Sequence, residues 1–420
     1  MQQKEYQVFG YRWVNLTVYT VVTFMAGAGF LAMAPMLDIM AHRWEIGFGA
    51  ASLLMSVIGL FQLLLSIPAG WMSGKVGFKP PVAVGASLLA LGFLLRSTAD
   101  DYGLFMLYTI IAGLGWGIIW GPVGSLVATW FPRREVGLAN SLWTVGYLAG
   151  QAFGSLTSIP FFTAFGWFNM WLIYGSIAII IAVLAWVLLR PRPPVPPEPR
   201  PPIKPARMGE GIKQTMNRTN IALQYTVFAS VGSLVVAPAI VPPMLIAKGV
   251  EPPLAGMIAG LALVGGTLGS LLVPPFAFGK RRARVTMLTC ACLAPIFFIA
   301  LFYAPVAGSA VIVAVALSLL FGFTMLPVMA ISMGVGQMQP TVNPGNAGIL
   351  AGVFLTSIGL GATVFPPLVG RIVDAAGVLG GAWMLVVLAA ISIIVLAIFV
   401  PEPRIPEGPP HSHSAPQKLR

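Results

Sequence analysis

The sequence predicts an all-α membrane protein: twelve transmembrane helices arranged as two pseudo-symmetric six-helix bundles. Three observations carry this expectation. Of 420 residues, 57% are hydrophobic and 9% charged, whereas a soluble domain needs roughly 25% charged residues to solvate its surface. The apolar stretches far exceed the ~10 residues of a barrel strand, so helices must satisfy the backbone in lipid. A proline-rich, basic segment divides those stretches six and six.

Taken in order, the first six spans are 12–40, 49–73, 80–98, 103–130, 137–162 and 167–190. They are separated by clusters such as Asp38 to Glu45, Lys75 to Lys79, Arg96 to Asp101 and Arg133 to Glu135. The second six are 219–246, 252–278, 285–304, 308–335, 345–371 and 379–400, with Lys248 to Glu251 and Lys280 to Arg284 among the breaks. Nearly all have the ~20 residues that cross a hydrocarbon core. The expected organisation is a bundle at 1–190, a linker at 191–218, a bundle at 219–400 and a disordered cytoplasmic tail at 401–420. From Pro191 to Pro205 proline alternates with Arg192, Arg200 and Lys204, which favours a semi-rigid extended conformation outside the bilayer.

Placing the N-terminus in the cytoplasm sends all 24 Lys and Arg except Arg43, Arg96, Lys248 and Arg371 to the cytoplasmic side. This positive-inside bias predicts an integral plasma (inner) membrane protein with both termini cytoplasmic. It also accounts for the net charge of +12 without nucleic acid as a partner. The expected partners are the bilayer and a small-molecule substrate, and the expected state is a monomer. Cys290 and Cys292 point ~200° apart on a helix and read as packing residues. His411 and His413 lack a third ligand, so neither metal nor cofactor is expected. The sequons at Asn15 and Asn217 fall in a span and on the cytoplasmic side, which makes both chance matches.

The second half repeats the first at an offset of about 205 residues, as alternating-access carriers do. Ser66-Ile67-Pro68-Ala69-Gly70-Trp71-Met72-Ser73-Gly74-Lys75 closes the second span. Leu272-Val273-Pro274-Pro275-Phe276-Ala277-Phe278-Gly279-Lys280 closes the eighth on the same apolar-Pro-apolar-Gly-Lys pattern. The turn after the second span resembles the inter-helix motif of the major facilitator superfamily, with Gly70, Lys75, Gly77 and Lys79 matching. The resemblance implies two six-helix bundles rocking about a midplane site. The family's acidic position in this motif is Gly74 here, and its arginine near the start of the fourth span's glycine motif is Thr109. The fifth span carries Gly146, Gly150 and Gly154 in place of the Gly-Pro pair of drug–proton antiporters. Trp130-Phe131-Pro132-Arg133-Arg134, followed by Gly137-Leu138-Ala139, resembles instead the carriers of nitrate, cyanate and small organic acids.

By this reading no acidic side chain lies mid-span: Asp38, Glu45, Asp100, Asp101, Glu251 and Asp374 fall at outer ends. Basic residues are likewise absent from mid-depth. An ionisable group there costs ~2.5–3.5 kcal/mol or more, so this pattern argues against a buried proton carrier and against an arginine clamp on an anion. The best coupling candidate is Asp38, with His42 one turn later. What remains for a cavity is aromatic and neutral-polar. Trp116 and Trp120 are spaced i, i+4, and Trp143, Tyr147 and Gln151 form an i, i+4, i+8 stripe. Beside that stripe, Gly146, Gly150 and Gly154 suit close helix contact. Tyr19, Thr23, Gln62, Thr267, Thr324, Thr356 and Thr363 complete the expected substrate-binding set. Pro242-Pro243 and Pro366-Pro367 mark candidate gate hinges.

The function expected is secondary transport of a small organic solute, neutral, aromatic or monocarboxylate-like, by rocking of 1–190 against 219–400. The alternatives are an exporter of apolar, drug-like compounds and, from another class, a transport-silent sensor or assembly factor. An enzyme would need a nucleophile–base pair or metal ligands at depth, and the histidines, His42, His411 and His413, all lie elsewhere.

Overall fold

Among the described residues the chain forms thirteen α-helices and no strand. The structure, a computed structural model, describes residues 8–132, 135–194, 208–279, 282–306, 308–342 and 347–402. Arg133 and Arg134, most of the proline-rich stretch (195–207), and the tail from residue 403 with His411 and His413 lie outside the described residues, as does the Lys75 side chain.

The first half contains α1 (Tyr11–Leu31), α2 (Leu37–Arg43), α3 (Phe48–Val76), α4 (Lys79–Leu95), α5 (Tyr102–Trp120), α6 (Val123–Trp130) and α7 (Val136–Leu188). After the short α8 (Met208–Thr215) follow α9 (Arg218–Ala247), α10 (Pro252–Gly279), α11 (Ala283–Tyr303), α12 (Val311–Gln337) and α13 (Ala347–Phe399). Among the described residues ten helical stretches are long and apolar enough to cross a membrane. Two of them sit in α7 and α13, each 53 residues long, far more than one crossing needs. Each folds back at a glycine in left-handed conformation, Gly166 (φ 76°) and Gly377 (φ 72°), where a side chain would be strained. That brings the crossings to twelve, with boundaries close to those expected. Past the proline stretch the linker is helical over Met208–Thr215. Asn217 is a helix cap, its side chain accepting the Asn220 N–H at 2.8 Å.

Within the first half α1 packs along α7, and α5 packs against α3 and α4; within the second, α10 and α11 pack on α12, and α9 on α13. Among the described residues the halves meet mainly through two long helix pairs, α3 with α13 and α7 with α10, with a smaller contact of Ala34–Met36 and α2 on α9. In crossing numbers the long pairs are second with eleventh and fifth with eighth, which a two-fold exchange of halves maps onto each other. Glycines mark where the backbones come closest. Gly49 lies on Gly370, Gly59 on Ala362, Gly359 on Leu63, Gly256 on Ile159 and Gly260 on Leu156. All these approaches lie between mid-depth and the face remote from the helix ends Tyr11 and Phe399. That face is called the far face below, and the opposite one the terminal face.

At the terminal face Arg12 grips Glu135 through Nε at 2.9 Å and Nη2 at 3.4 Å, joining the first and fifth crossings. Tyr11 donates its hydroxyl to the Leu188 carbonyl at 2.6 Å, and the Arg190 guanidinium sits 4.1 Å above the Tyr11 ring. At the far face the Lys248 ammonium donates to the carbonyls of Phe302 and Ala304, pinning the end of α9 to that of α11. Desolvation lowers the pKa of this ammonium from its ordinary value.

Arg96 departs from the sequence reading. Expected in a connection, it continues α4 as a 3-10 turn and is completely buried. The cause lies in the first crossing, which breaks between Leu31 and Ala34. There the Met33 N–H bonds Phe30 rather than Gly29, leaving a carbonyl that needs a donor. Arg96 Nη1 supplies it at 3.0 Å. The rest of the guanidinium stacks on Phe93, Phe105 and Trp171 at 4.9, 5.3 and 5.2 Å. A planar, weakly hydrated cation suits that box and a compact ammonium does not. Arg96→Lys should therefore cost about 1–2 kcal/mol through lost stacking, read as a melting temperature several degrees lower in purified protein. An unchanged melting temperature would show that the box contributes nothing.

Candidate functional site

The i, i+4 spacings read from the sequence converge on one cluster. Trp116 and Trp120 descend one face of α5, their rings 5.1 Å apart. Trp143, Tyr147 and Gln151 descend the facing side of α7. Tyr147 stands edge-on to Trp120 at 4.8 Å and 5.9 Å from Trp116, with Trp143 5.9 Å from Trp120. From α1, Tyr19 reaches Trp143 at 6.2 Å, and Phe30, which the sequence reading did not single out, packs on Trp116 at 4.9 Å. The helices come this close because Gly146, Gly150 and Gly154 face Thr20, Phe24 and Ala28 of α1. Trp116 and Trp120 are 2% and 3% exposed, so the cluster lies in the protein interior and not against lipid. The edges of Trp143 and Tyr147 are half-buried.

Some polar atoms of this cluster are committed and others are not. The Trp116 indole N–H donates to Gln62 Oε1 at 2.9 Å, and the Tyr19 hydroxyl to the Ile119 carbonyl at 2.9 Å. Gln151 Nε2 donates to the Tyr147 hydroxyl at 2.6 Å. Among the described residues the Trp120 indole N–H and Gln151 Oε1 are buried without partners. Such atoms cost free energy and call for an explanation. Thr23 bonds the Thr20 carbonyl of its own helix.

The threonines expected from the second half do not join this cluster through hydrogen bonds. Thr267, Thr324, Thr356 and Thr363 each turn the hydroxyl back on the carbonyl four residues earlier, at 2.8, 2.8, 3.1 and 2.7 Å. The second half instead offers a pair that the sequence reading missed. Gln224 on α9 accepts the Ser357 hydroxyl of α13 at 2.6 Å, and its Nε2 is buried with no partner among the described residues. The signal was available, since the 205-residue offset lays Gln224 on Tyr19.

Asp38 and His42 stand 3.8 Å apart at the far face with side chains 38% and 84% exposed, a solvated pair. In the inter-helix motif, Gly77 ends α3 at φ 86°, Gly70 packs on Gly121, and Lys79 is half-buried. Cys290 is buried and Cys292 exposed, as their spacing implied. Among the described residues no group of metal-ligating side chains occurs.

Comparisons with known proteins agree with this architecture. The probable nitrate transporter NarT of Staphylococcus carnosus (strain TM300) is 26% identical over 172 residues, 40% of this chain and 44% of that protein. NarT of Staphylococcus epidermidis is 28% identical over the same shares of each chain. The chain thus matches less than half the length of these curated relatives. A bacterial homolog of the human lysosomal transporter Spinster, solved inward-facing and unoccupied, superposes with a TM-score of 0.73 at 15% identity, over 96% of this chain and 100% of its own. A point mutant of the nucleoside transporter NupG superposes with a TM-score of 0.70 at 14% identity, over 91% and 98%. The sequence model of the Major Facilitator Superfamily matches residues 19–343, and with twelve crossings in two exchanged halves the chain belongs to that superfamily of membrane transporters.

Proposed function

We propose that the protein carries a small organic solute, neutral, aromatic or monocarboxylate-like, by alternating access, with residues 1–190 and 219–400 as the moving bodies. The observation that carries this reading is the uncharged cluster with its unpaired donor and acceptor, Trp120 Nε1 and Gln151 Oε1. Ring faces give a planar solute stacking surface, and the free N–H and carbonyl give it orientation. The unpaired Gln224 Nε2 supplies a second donor from the other half. The basic bias of the terminal face supports a cytoplasmic placement of both ends. In that placement the far-face packing describes a carrier closed outward.

Nitrate is the second reading, supported by the partial likeness to NarT. Against it, nitrate has no organic part to bury among the rings, and the cluster holds no cation to offset the several kcal/mol of taking a bare anion out of water. A melting-temperature screen of the purified chain against nitrate, monocarboxylates and neutral aromatics decides between them, with uptake into liposomes following on any hit. Stabilisation by organic solutes is expected, and stabilisation by nitrate alone overturns the proposal. Uptake that collapses with a proton ionophore but survives Asp38→Asn would place the coupling group away from Asp38.

A further inference from the structure

We propose that Asp374 is the latch of the far gate: a carboxylate of one half that caps a helix of the other and holds the far face shut. The proposal rests on the carrier reading for its purpose but on its own geometry for its existence. The first amides of a helix have no acceptor within it, and they carry the positive end of the helix dipole. At the start of α3 the N-cap position is Gly47, which has no side chain to accept them. The acceptor comes from α13, in the other half. Asp374 Oδ1 takes the Phe48 N–H at 2.8 Å, and Oδ2 takes the Gly49 N–H at 2.9 Å. Both are charge-assisted bonds, each stronger than a neutral one.

The backbone is shaped for this contact. A Cβ on Gly370 would come within 2.6 Å of Gly49 Cα, and one on Gly49 within 2.9 Å of Asp374 Oδ2. A side chain at either position would wedge the carboxylate off the helix end. The capping pair α3 and α13 is also one of the two main pairs through which the halves meet. At the opposite end of α3 the sequence has Gly74, which offers no carboxylate. The latch is therefore one-sided: opening the far face breaks two charge-assisted bonds at this point, and the resting population lies toward the far-closed state.

Distance measurement between nitroxide labels tests this on the full chain in lipid nanodiscs, with Cys290→Ala and Cys292→Ala as background. The labels go at Asp100→Cys and Glu251→Cys, exposed far-face positions on the two halves. The parent is expected to give mainly one short distance. Asp374→Asn should raise the ratio of long to short distances roughly tenfold, the worth of a charge at a partly buried helix end, and Asp374→Glu should restore part of the short population. Gly370→Ala keeps the carboxylate but forces Gly49 away, so it should open the face in the same way, and it serves if Asp374→Asn does not fold. A distance distribution unchanged by the folded variant overturns the latch. The measurement needs no solute, so a protein that opens on Asp374→Asn yet transports nothing would retain the latch and lose the carrier reading.

Discussion

Gly150→Val should leave little folded protein. A Cβ at Gly150 would collide with the Phe24 carbonyl oxygen of α1, and one at Gly154 with that of Ala28, a turn further along the same contact. Overpacking costs about 1–3 kcal/mol when side chains can yield. Here the obstacle is backbone inside a continuous helix, so relief requires α1 to move away from α7 along its length. That movement also separates Tyr19 from Trp143 and dismantles the wall of the site. The expected outcome is a large loss of monodisperse protein on size exclusion, with any remainder melting well below the parent. Gly124→Ala is the control, since nothing lies within 4 Å of its Cβ position in α6. Helix propensity alone should then leave that variant neutral or stabilised by up to ~1 kcal/mol. Normal yield and melting of Gly150→Val would mean that the first and fifth crossings are not packed as described.

What could be read from the sequence follows from which interactions leave a periodic trace. Trp116 with Trp120, and Trp143 with Tyr147 and Gln151, repeat at helical spacing in lipid, where amides must face inward, so their convergence could be anticipated. The second-half threonines leave no such trace, because a helical threonine can satisfy its hydroxyl on its own backbone with or without a cavity beside it. Gln224 is a single amide in an apolar stretch and repeats nothing within its helix, so only the match between the halves points to it. Arg96 was expected in a connection and is buried at the end of α4, while Asp374 was expected at an outer end and lies there. Their partners were not legible: one is a carbonyl freed by a break in the first crossing, and the other is a bare helix end in the opposite half. Both are backbone groups, and no side-chain pattern announces them.

The two tryptophans of the cluster, alike in sequence spacing, should respond oppositely to the same substitution. Trp116→Phe removes the donor that Gln62 Oε1 accepts from at 2.9 Å. A buried acceptor left unpaired costs about 1–3 kcal/mol, so this variant should melt several degrees lower. Trp120→Phe removes an N–H that has no partner and keeps a ring against Tyr147, so its melting temperature should hold or rise. Its effect should appear in binding instead. If the free indole N–H orients the solute, one hydrogen bond, net about 0.5–1.5 kcal/mol, corresponds to roughly a two- to tenfold loss of affinity, read in titrations with whichever organic solute stabilises the parent. Replacing both tryptophans by alanine removes the stacking surface as well and should abolish the response. The contrast separates a site from a core. Two packing residues would both lower stability and leave any solute response intact, so full affinity in Trp120→Phe would mean that the unpaired donor is not what the solute meets.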